Sequence, residues 1–209
     1  MTSPRSAPEA PARDGTLRHV LTSVIYTVVT VIALGVLYPV VIWGAATLLV
    51  HHHAGGSLIV DAKGTTIGSE LVGQSFTKPQ YFHGRPSAAG KGYDPTATGG
   101  TNFGPTSKKL IDGTKSAIAA LTSANPDAAG PIPMDLVTAS ASGIDPDISP
   151  AGAYYQAPRV AKARGMHLDA VRALIESHIT PRQLGLLGEP RVNVLDINRA
   201  LDAQGPHRK

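Results

Sequence analysis

Apolar residues follow two patterns along this chain. From Val20 to Val50 (VLTSVIYTVVTVIALGVLYPVVIWGAATLLV) 31 residues pass without one charged side chain, whereas beyond residue 50 apolar positions fall in short clusters broken by Gly, Pro, Ser and Thr. The first pattern predicts one membrane-crossing helix. A hydrocarbon core about 30 Å thick needs roughly 20 apolar residues as helix. A run of 31 residues rises only about 46 Å as helix and cannot cross twice. Pro39 removes a backbone donor inside the run and predicts a kink there. Gly35, Gly44, Ala45 and Ala46 permit close approach of neighbouring helices. A cleaved leader is the competing reading, but its apolar core would span only about 7–15 residues.

The second pattern predicts a loop-rich domain over residues 51–209. Ser57–Asp61 reads as a short strand closed by a Lys63-Gly64 turn. Thr66–Phe76 is strand or loop. Lys78–Pro105 is a long loop of the kind that is either functional or disordered. Thr106–Leu121 carries apolar residues near helical spacing at Leu110, Ile111, Ala117, Ile118 and Leu121. Asp135–Ala139 reads as a buried strand. Ser149 as N-cap and Pro150 at the first helical position open a second helix. Pro158 is expected to break it, with a short restart over Arg159–Arg164. Leu168–His178 is amphipathic, and Val192–Leu201 is strand or helix. Strands early and helices late predict an α+β domain.

Charge adds a direction to this layout. Arg5, Arg13 and Arg18 precede the span, and the next lysine or arginine is Lys63. Cytoplasmic flanks carry the basic excess. The expectation is therefore a single-pass protein with a disordered cytoplasmic tail over residues 1–19, a span over 20–50 and an extracytoplasmic domain over 51–209. The tail is Pro- and Ala-rich and shows no apolar period. The net charge of +4 is mild and the basic residues form no run, so nucleic-acid binding has no support. With no cysteine in the chain, disulfides, thiolate metal sites and a cysteine nucleophile are excluded.

Candidate chemistry is sparse. Gly84–Gly92 (GRPSAAGKG) spaces its glycines one position too far apart for a phosphate loop and puts Gly92 where a Ser or Thr should meet Mg²⁺. Ser140-Ala141-Ser142-Gly143 lacks the first glycine of a nucleophile elbow. The bases that a serine nucleophile would need are His83, His167 and His178. His51-His52-His53 points its side chains in different directions, and zinc sites use separated pairs. Asp145-Pro146-Asp147 reads as a hydrated turn, with Asp145 able to anchor it by an Asx-type bond.

Asp135–Val160 (DLVTASASGIDPDISPAGAYYQAPRV) resembles the signature of the C subunit of the bacterial Kdp potassium-transporting ATPase, departing from it at Ala141 and Ile144. Further blocks resemble the family in the same order. They are Tyr38-Pro39 in the span, Gly56-Ser57-Leu58, Val72-Gly73-Gln74 with Phe76, Tyr81–Ser87, Gly99–Asn102 with Gly104-Pro105, and Gly188–Asp202. The resemblance implies a non-catalytic accessory subunit of an ATP-driven potassium uptake complex in the cell (inner) membrane. It would stabilise the assembly and act as a catalytic chaperone raising the ATP affinity of the ATPase subunit. Implied partners are a channel-like potassium-binding subunit, a P-type ATPase subunit, a small membrane subunit and the bilayer. ATP would act through the complex, potassium would be the transported ion, and no cofactor would be held firmly. The resemblance offers Gly99, Gly100 and Asn102 for nucleotide contact. For partner contact the candidates are Tyr81, Phe82, Arg85, Ser140, Ser142 and Asp145. The alternative is a membrane-anchored extracytoplasmic hydrolase, which requires a Ser–His pair within about 2.6–3.2 Å in a pocket.

Overall fold

The computed structural model describes residues 15–204. The chain divides between Gly55 and Gly56 into two compact units. Within the first, α1 (Thr16–Ile32), a π-helical turn (Ala33–Leu37) and α2 (Tyr38–Leu49) form one continuous helix. Its 34 residues are long and apolar enough to cross a membrane, and none of its most apolar stretch is buried by the protein itself. Polar side chains in it turn back on the backbone. The hydroxyls of Thr27 and Thr47 donate to Ser23 O and Trp43 O four residues earlier, at 2.8 and 2.7 Å. Thr30 does the same to Tyr26 O. Each thus hides a donor that hydrocarbon would not solvate.

At Pro39, where a kink is expected, the structure has the π turn. The Tyr38 amide bonds to Ala33 O, five residues back. Widening by one residue accommodates a ring that cannot donate and that crowds an α-helical turn. Of the tail expected to be disordered, residues 1–14 lie outside the described residues, and Thr16–His19 already form the first turn of α1. A four-residue helix, α3 (His51–Ala54), ends this unit.

The second unit is mixed helix and strand, the α+β domain expected. β1 (Leu58–Val60) and β2 (Thr66–Ser69) pair antiparallel, Leu58 opposite Ser69. α4 (Lys108–Ala124) follows the long loop. β3 (Asp147–Ile148), β4 (Ile179–Thr180) and β5 (Arg191–Asn193) make an antiparallel sheet in the order β3-β5-β4. α5 (Pro150–Arg164), α6 (Leu168–Ser177) and α7 (Val194–Ala203) supply the core, with Phe82, Ile148, Val160, Val171, Ile175, Val192, Ile197 and Leu201 fully buried.

Local signals set the ends of these helices. The Ser149 hydroxyl accepts the Gly152 amide at 2.9 Å, and Gly165 closes α5 in the left-handed conformation at φ 65°. The ambiguity at Val192–Leu201 resolves into both elements, because Asn193 ends β5 and caps α7 by accepting the Asp196 amide at 3.1 Å.

Two expectations are corrected. α5 runs through Pro158 without a break. An internal proline costs about 3 kcal/mol, but Tyr155, Gln156, Ala157, Arg159, Val160 and Ala161 are buried on either side of it, and their packing holds the turn. Asp135–Ala139 is not a strand. Met134–Leu136 is a 3₁₀ turn, and the amides of Val137 and Thr138 both return to Met134 O. The Asp135 carboxylate accepts from the Ser149 amide at 2.7 Å and the Ser149 hydroxyl at 3.0 Å. That commitment to the start of α5 leaves the segment compact.

Candidate functional site

Lys78–Pro105 has almost no regular structure, so its backbone polar groups must find other partners. Around Phe82, which is buried with no exposed surface, side chains of α5 and α7 take the place of a neighbouring strand. Asn198 accepts the Phe82 amide at 2.8 Å and donates to Phe82 O at 2.9 Å. Gln156 treats His83 in the same way, at 2.8 and 3.0 Å. Arg159 donates to Pro79 O and Tyr81 O, to Asn125 Oδ1 at 2.9 Å and to Gln156 Oε1 at 2.7 Å. Arg164 reaches Gln80 O, Leu201 O and Asp202, and lies 5.0 Å from the centre of the Tyr81 ring.

Electrostatics follow from this burial. Desolvation lowers the Arg159 guanidinium to about 10, which still leaves it charged at neutral pH among acceptors that are all uncharged. Burial, and then the charge on Arg159, lowers the His83 imidazole below its ordinary value. It is neutral, with Nε2 3.0 Å from Lys78 O. Burial and the hydrogen bond to Asp202 raise the Tyr81 phenol.

The second part of the loop folds against Ser140–Asp145. Arg85 pairs with Asp145 at 2.9 Å, both side chains about a quarter exposed. The Ser87 hydroxyl donates to Gly143 O at 2.5 Å and accepts the amides of Tyr93 and Ala89 at 2.8 and 3.2 Å. The Tyr93 hydroxyl donates to Arg85 O at 2.5 Å. Burial, and then the Asp145 charge, push that phenol up to about 12. Gly143 sits at φ 71°, and a Cβ there would stand 2.7 Å from the Ala89 amide nitrogen. The turn needs glycine on both counts. The Gly99 amide donates to Ser142 O at 2.8 Å, and Gly73 donates to Ile144 O at 2.8 Å.

The structure therefore brings Arg85, Asp145, Ser140, Ser142, Gly99 and Gly100 into one knot of loops. Tyr81 and Phe82 belong to the neighbouring seam against α5 and α7. Asn102 lies apart from both, exposed and at φ 50°. Sequence reasoning missed Gln156, Arg159, Arg164 and Asn198, which hold the seam, and Tyr93, which holds the knot. A signal for the first two was present. Gln156 and Arg159 are polar residues at core-facing spacing among Gly152, Ala153 and Val160, a position that calls for a buried partner.

Chemically, the knot is occupied with itself. Ser140 Oγ accepts the Gly143 amide at 2.9 Å and Ser142 Oγ the Ile144 amide at 3.2 Å. Among the described residues neither has a histidine partner. Ser177 does lie 3.1 Å from His178 Nδ1, beside a small cavity that includes Asp196. That Nδ1 is also 2.8 Å from Leu174 O. A carbonyl accepts only, so Nδ1 carries the proton and cannot act as the base for its neighbour. No group of three or more His, Cys, Asp or Glu able to hold a metal is found among the described residues.

Sequence comparison bears on the same region. The family model described as KdpC, the c chain of the K⁺-transporting ATPase, matches residues 20–203. The potassium-transporting ATPase KdpC subunit of Koribacter versatilis is 50% identical over 190 residues, covering 90% of this chain and 96% of that one. Its counterpart in Acidobacterium capsulatum is 53% identical over 186 residues, covering 89% and 98%. That of Caulobacter vibrioides is 50% identical over 190 residues, covering 91% and 95%.

Proposed function

The chain belongs to the KdpC family, the c chain of the K⁺-transporting ATPase, and from that premise we propose that it is a non-catalytic accessory subunit that anchors by one span and stabilises the transport assembly. The observation that carries this reading is how the loop residues are used. Most polar side chains of the seam and the knot are spent on backbone groups and side chains within the second unit, as a rigid docking body requires, and among the described residues the candidate serines have no histidine base.

In this reading the partners are a channel-like potassium-binding subunit, a P-type ATPase subunit and a small membrane subunit. The basic flank formed by Arg5, Arg13 and Arg18 favours a cytoplasmic N-terminus and an extracytoplasmic domain in the cell (inner) membrane. ATP is then hydrolysed on the other side of the bilayer from residues 56–204. An increase in the ATP affinity of the ATPase subunit would travel through helix contacts in the membrane, where Gly35, Gly44, Ala45 and Ala46 allow close packing. Such coupling is reciprocal, so nucleotide on the ATPase would tighten its hold on this subunit by the same factor. Direct nucleotide contact through Gly99, Gly100 and Asn102 would have to displace the hydrogen bond from Gly99 to Ser142 O. Transmission through the span needs no such rearrangement.

The test is co-purification through a C-terminal tag after gentle solubilisation, followed by potassium-stimulated ATP hydrolysis of what is recovered. Recovery of the ATPase and channel-like subunits, with nucleotide tightening their association, is the expected result. A chain that emerges alone from cells expressing those partners would overturn the reading.

A further inference from the structure

The hairpin between β4 and β5 turns its apolar side chains outward. Leu184, Leu186 and Leu187 are 91%, 80% and 60% exposed, and no charged residue stands between Arg182 and Glu189. Among the described residues, Leu184 and Leu186 are the most exposed large apolar side chains of the second unit. We propose that this hairpin tip enters the interfacial layer of the lipid bilayer, with Leu184, Leu186 and Leu187 as its apolar contact. The inference rests on the span and on the second unit, and does not depend on the subunit reading.

The tip is built to hold this shape. The amides of Gln183 and Leu187 each donate to the other's carbonyl at 2.9 Å. The Leu186 amide also donates to Gln183 O at 3.1 Å, and the Gly185 amide to Arg182 O at 3.2 Å. At the base Arg182 pairs with Glu189 at 2.6 Å and Arg191 with Asp147 at 3.0 Å. Leu184 stands at φ 53°. That left-handed conformation is strained for leucine, and glycine or asparagine would take it more readily in a turn facing water. Strain of this kind persists only where the surrounding structure imposes it, and it gathers at functional positions. Here it accompanies an apolar side chain held away from the domain.

The same features favour lipid over a polypeptide as the occupant. Backbone that meets hydrocarbon has to satisfy its own polar groups, and the amides of Gln183, Gly185, Leu186 and Leu187 are already closed within the hairpin. The charges at the base are neutralised in pairs, so no oppositely charged partner surface is called for. A convex tip of leucines needs no matching pocket in a fluid layer, where apolar faces settle about 5–10 Å deep. A bilayer is also close at hand. Residues 50–55 separate α2 from the second unit, at most about 20 Å of chain. Leu184, Leu186 and Leu187 alone would hold a membrane weakly, but a short tether makes the contact intramolecular and raises its effective concentration.

The chain has no native cysteine, so Leu186→Cys can carry a nitrobenzoxadiazole label at a single position. The full chain is reconstituted into phosphatidylcholine vesicles, alone and co-purified with its membrane partners. Quenching is read with a lipid bearing a nitroxide near its headgroup, and with iodide present on both sides of the membrane. A label on Ala129→Cys, exposed elsewhere in the second unit, is the reference. In both preparations the nitroxide lipid should quench the Leu186→Cys label, and iodide should quench it roughly fivefold less than the Ala129→Cys label. Adding Leu184→Ser and Leu187→Ser leaves the backbone hydrogen bonds of the hairpin in place and should abolish the lipid quenching. Lipid quenching that survives both serines would show that the label and not the leucines enters the bilayer, and the proposal would fall. Equal iodide quenching at the two labelled positions would also overturn it. A label that the nitroxide lipid does not reach in the co-purified preparation would assign the tip to a partner polypeptide and refute the lipid contact.

Discussion

Asn198 on α7 closes both backbone hydrogen bonds of Phe82, a residue 116 positions earlier in the chain. One buried amide thus stands in for a strand that the loop does not have. Replacing it with alanine strands a buried amide and a buried carbonyl together. Each costs about 1–3 kcal/mol, so Asn198→Ala should destabilise the second unit by about 3 kcal/mol. Chemical denaturation of the full chain in micelles, followed by far-ultraviolet circular dichroism, reads this directly. Hydrogen exchange at Phe82 and His83 should rise with it.

Arg159 makes the same kind of substitution with a charged group. Four hydrogen bonds from its guanidinium reach two backbone carbonyls and two side-chain amide oxygens at once. Lysine keeps the charge but not the planar fork. Arg159→Lys should therefore cost about 2–4 kcal/mol, since several buried acceptors lose their donors. A variant as stable as the parent would mean that the charge alone holds the seam.

Gly143 and Gly165 form a matched pair for testing the knot. Both are left-handed, at φ 71° and 65°, but a Cβ on Gly143 would stand 2.7 Å from the Ala89 amide nitrogen and one on Gly165 meets nothing within 4 Å. Gly165→Ala should cost about 1 kcal/mol, the conformational term alone. Gly143→Ala should cost roughly 3 kcal/mol and expose the loop from Arg85 to Gly100 to limited proteolysis. Equal losses in the two variants would show that the contact with Ala89 relaxes freely.

These pairs also mark what the sequence could and could not reveal. The span, the Ser149-Pro150 start of α5 and the glycine that ends it are local signals, readable within a few residues. The seam and the knot are not local. Arg85 meets Asp145 across 60 positions and Gln156 meets His83 across 73. Resemblance to a family marked both blocks as notable, but spacing along the chain says nothing about which blocks touch. The errors have the same origin. Asp135–Ala139 has the composition of a strand, yet its carboxylate serves Ser149 from a distance. Pro158 looks like a break until burial on both sides of it is counted.

His83 predicts a dependence on pH. Burial and Arg159 depress its folded-state value below the ordinary 6.5. The unfolded chain therefore takes up a proton first as pH falls. The stability that neutral His83 contributes is present above pH 6.5 and is lost as pH drops from there through the depressed folded value. His83→Gln keeps a side-chain donor for Lys78 O and does not titrate. Denaturation midpoints of parent and variant, measured from pH 7.5 down to 5, should diverge below 6.5, with the parent falling faster. Parallel curves would show that His83 takes up its proton at the same pH folded and unfolded, and a parent that falls more slowly than the variant would show that folding favours the charged form.

The orientation of the chain can be decided chemically, because it has no native cysteine. Ala129 is exposed in the second unit, and Ser6 lies in the N-terminal tail among the three arginines that precede the span. The basic flank predicts that Ala129→Cys reacts with a membrane-impermeant maleimide once the outer envelope is opened. Ser6→Cys should react only after the inner membrane is breached. The opposite pattern would put residues 56–204 on the nucleotide side. Gly99, Gly100 and Asn102 would then be within reach of ATP, and an effect on ATP affinity would no longer need to pass through the span. Labelling on the predicted sides leaves helix contacts around Gly35 and Gly44 as the route, and bulky substitutions there should then reduce the gain in ATP affinity while leaving residues 56–204 folded.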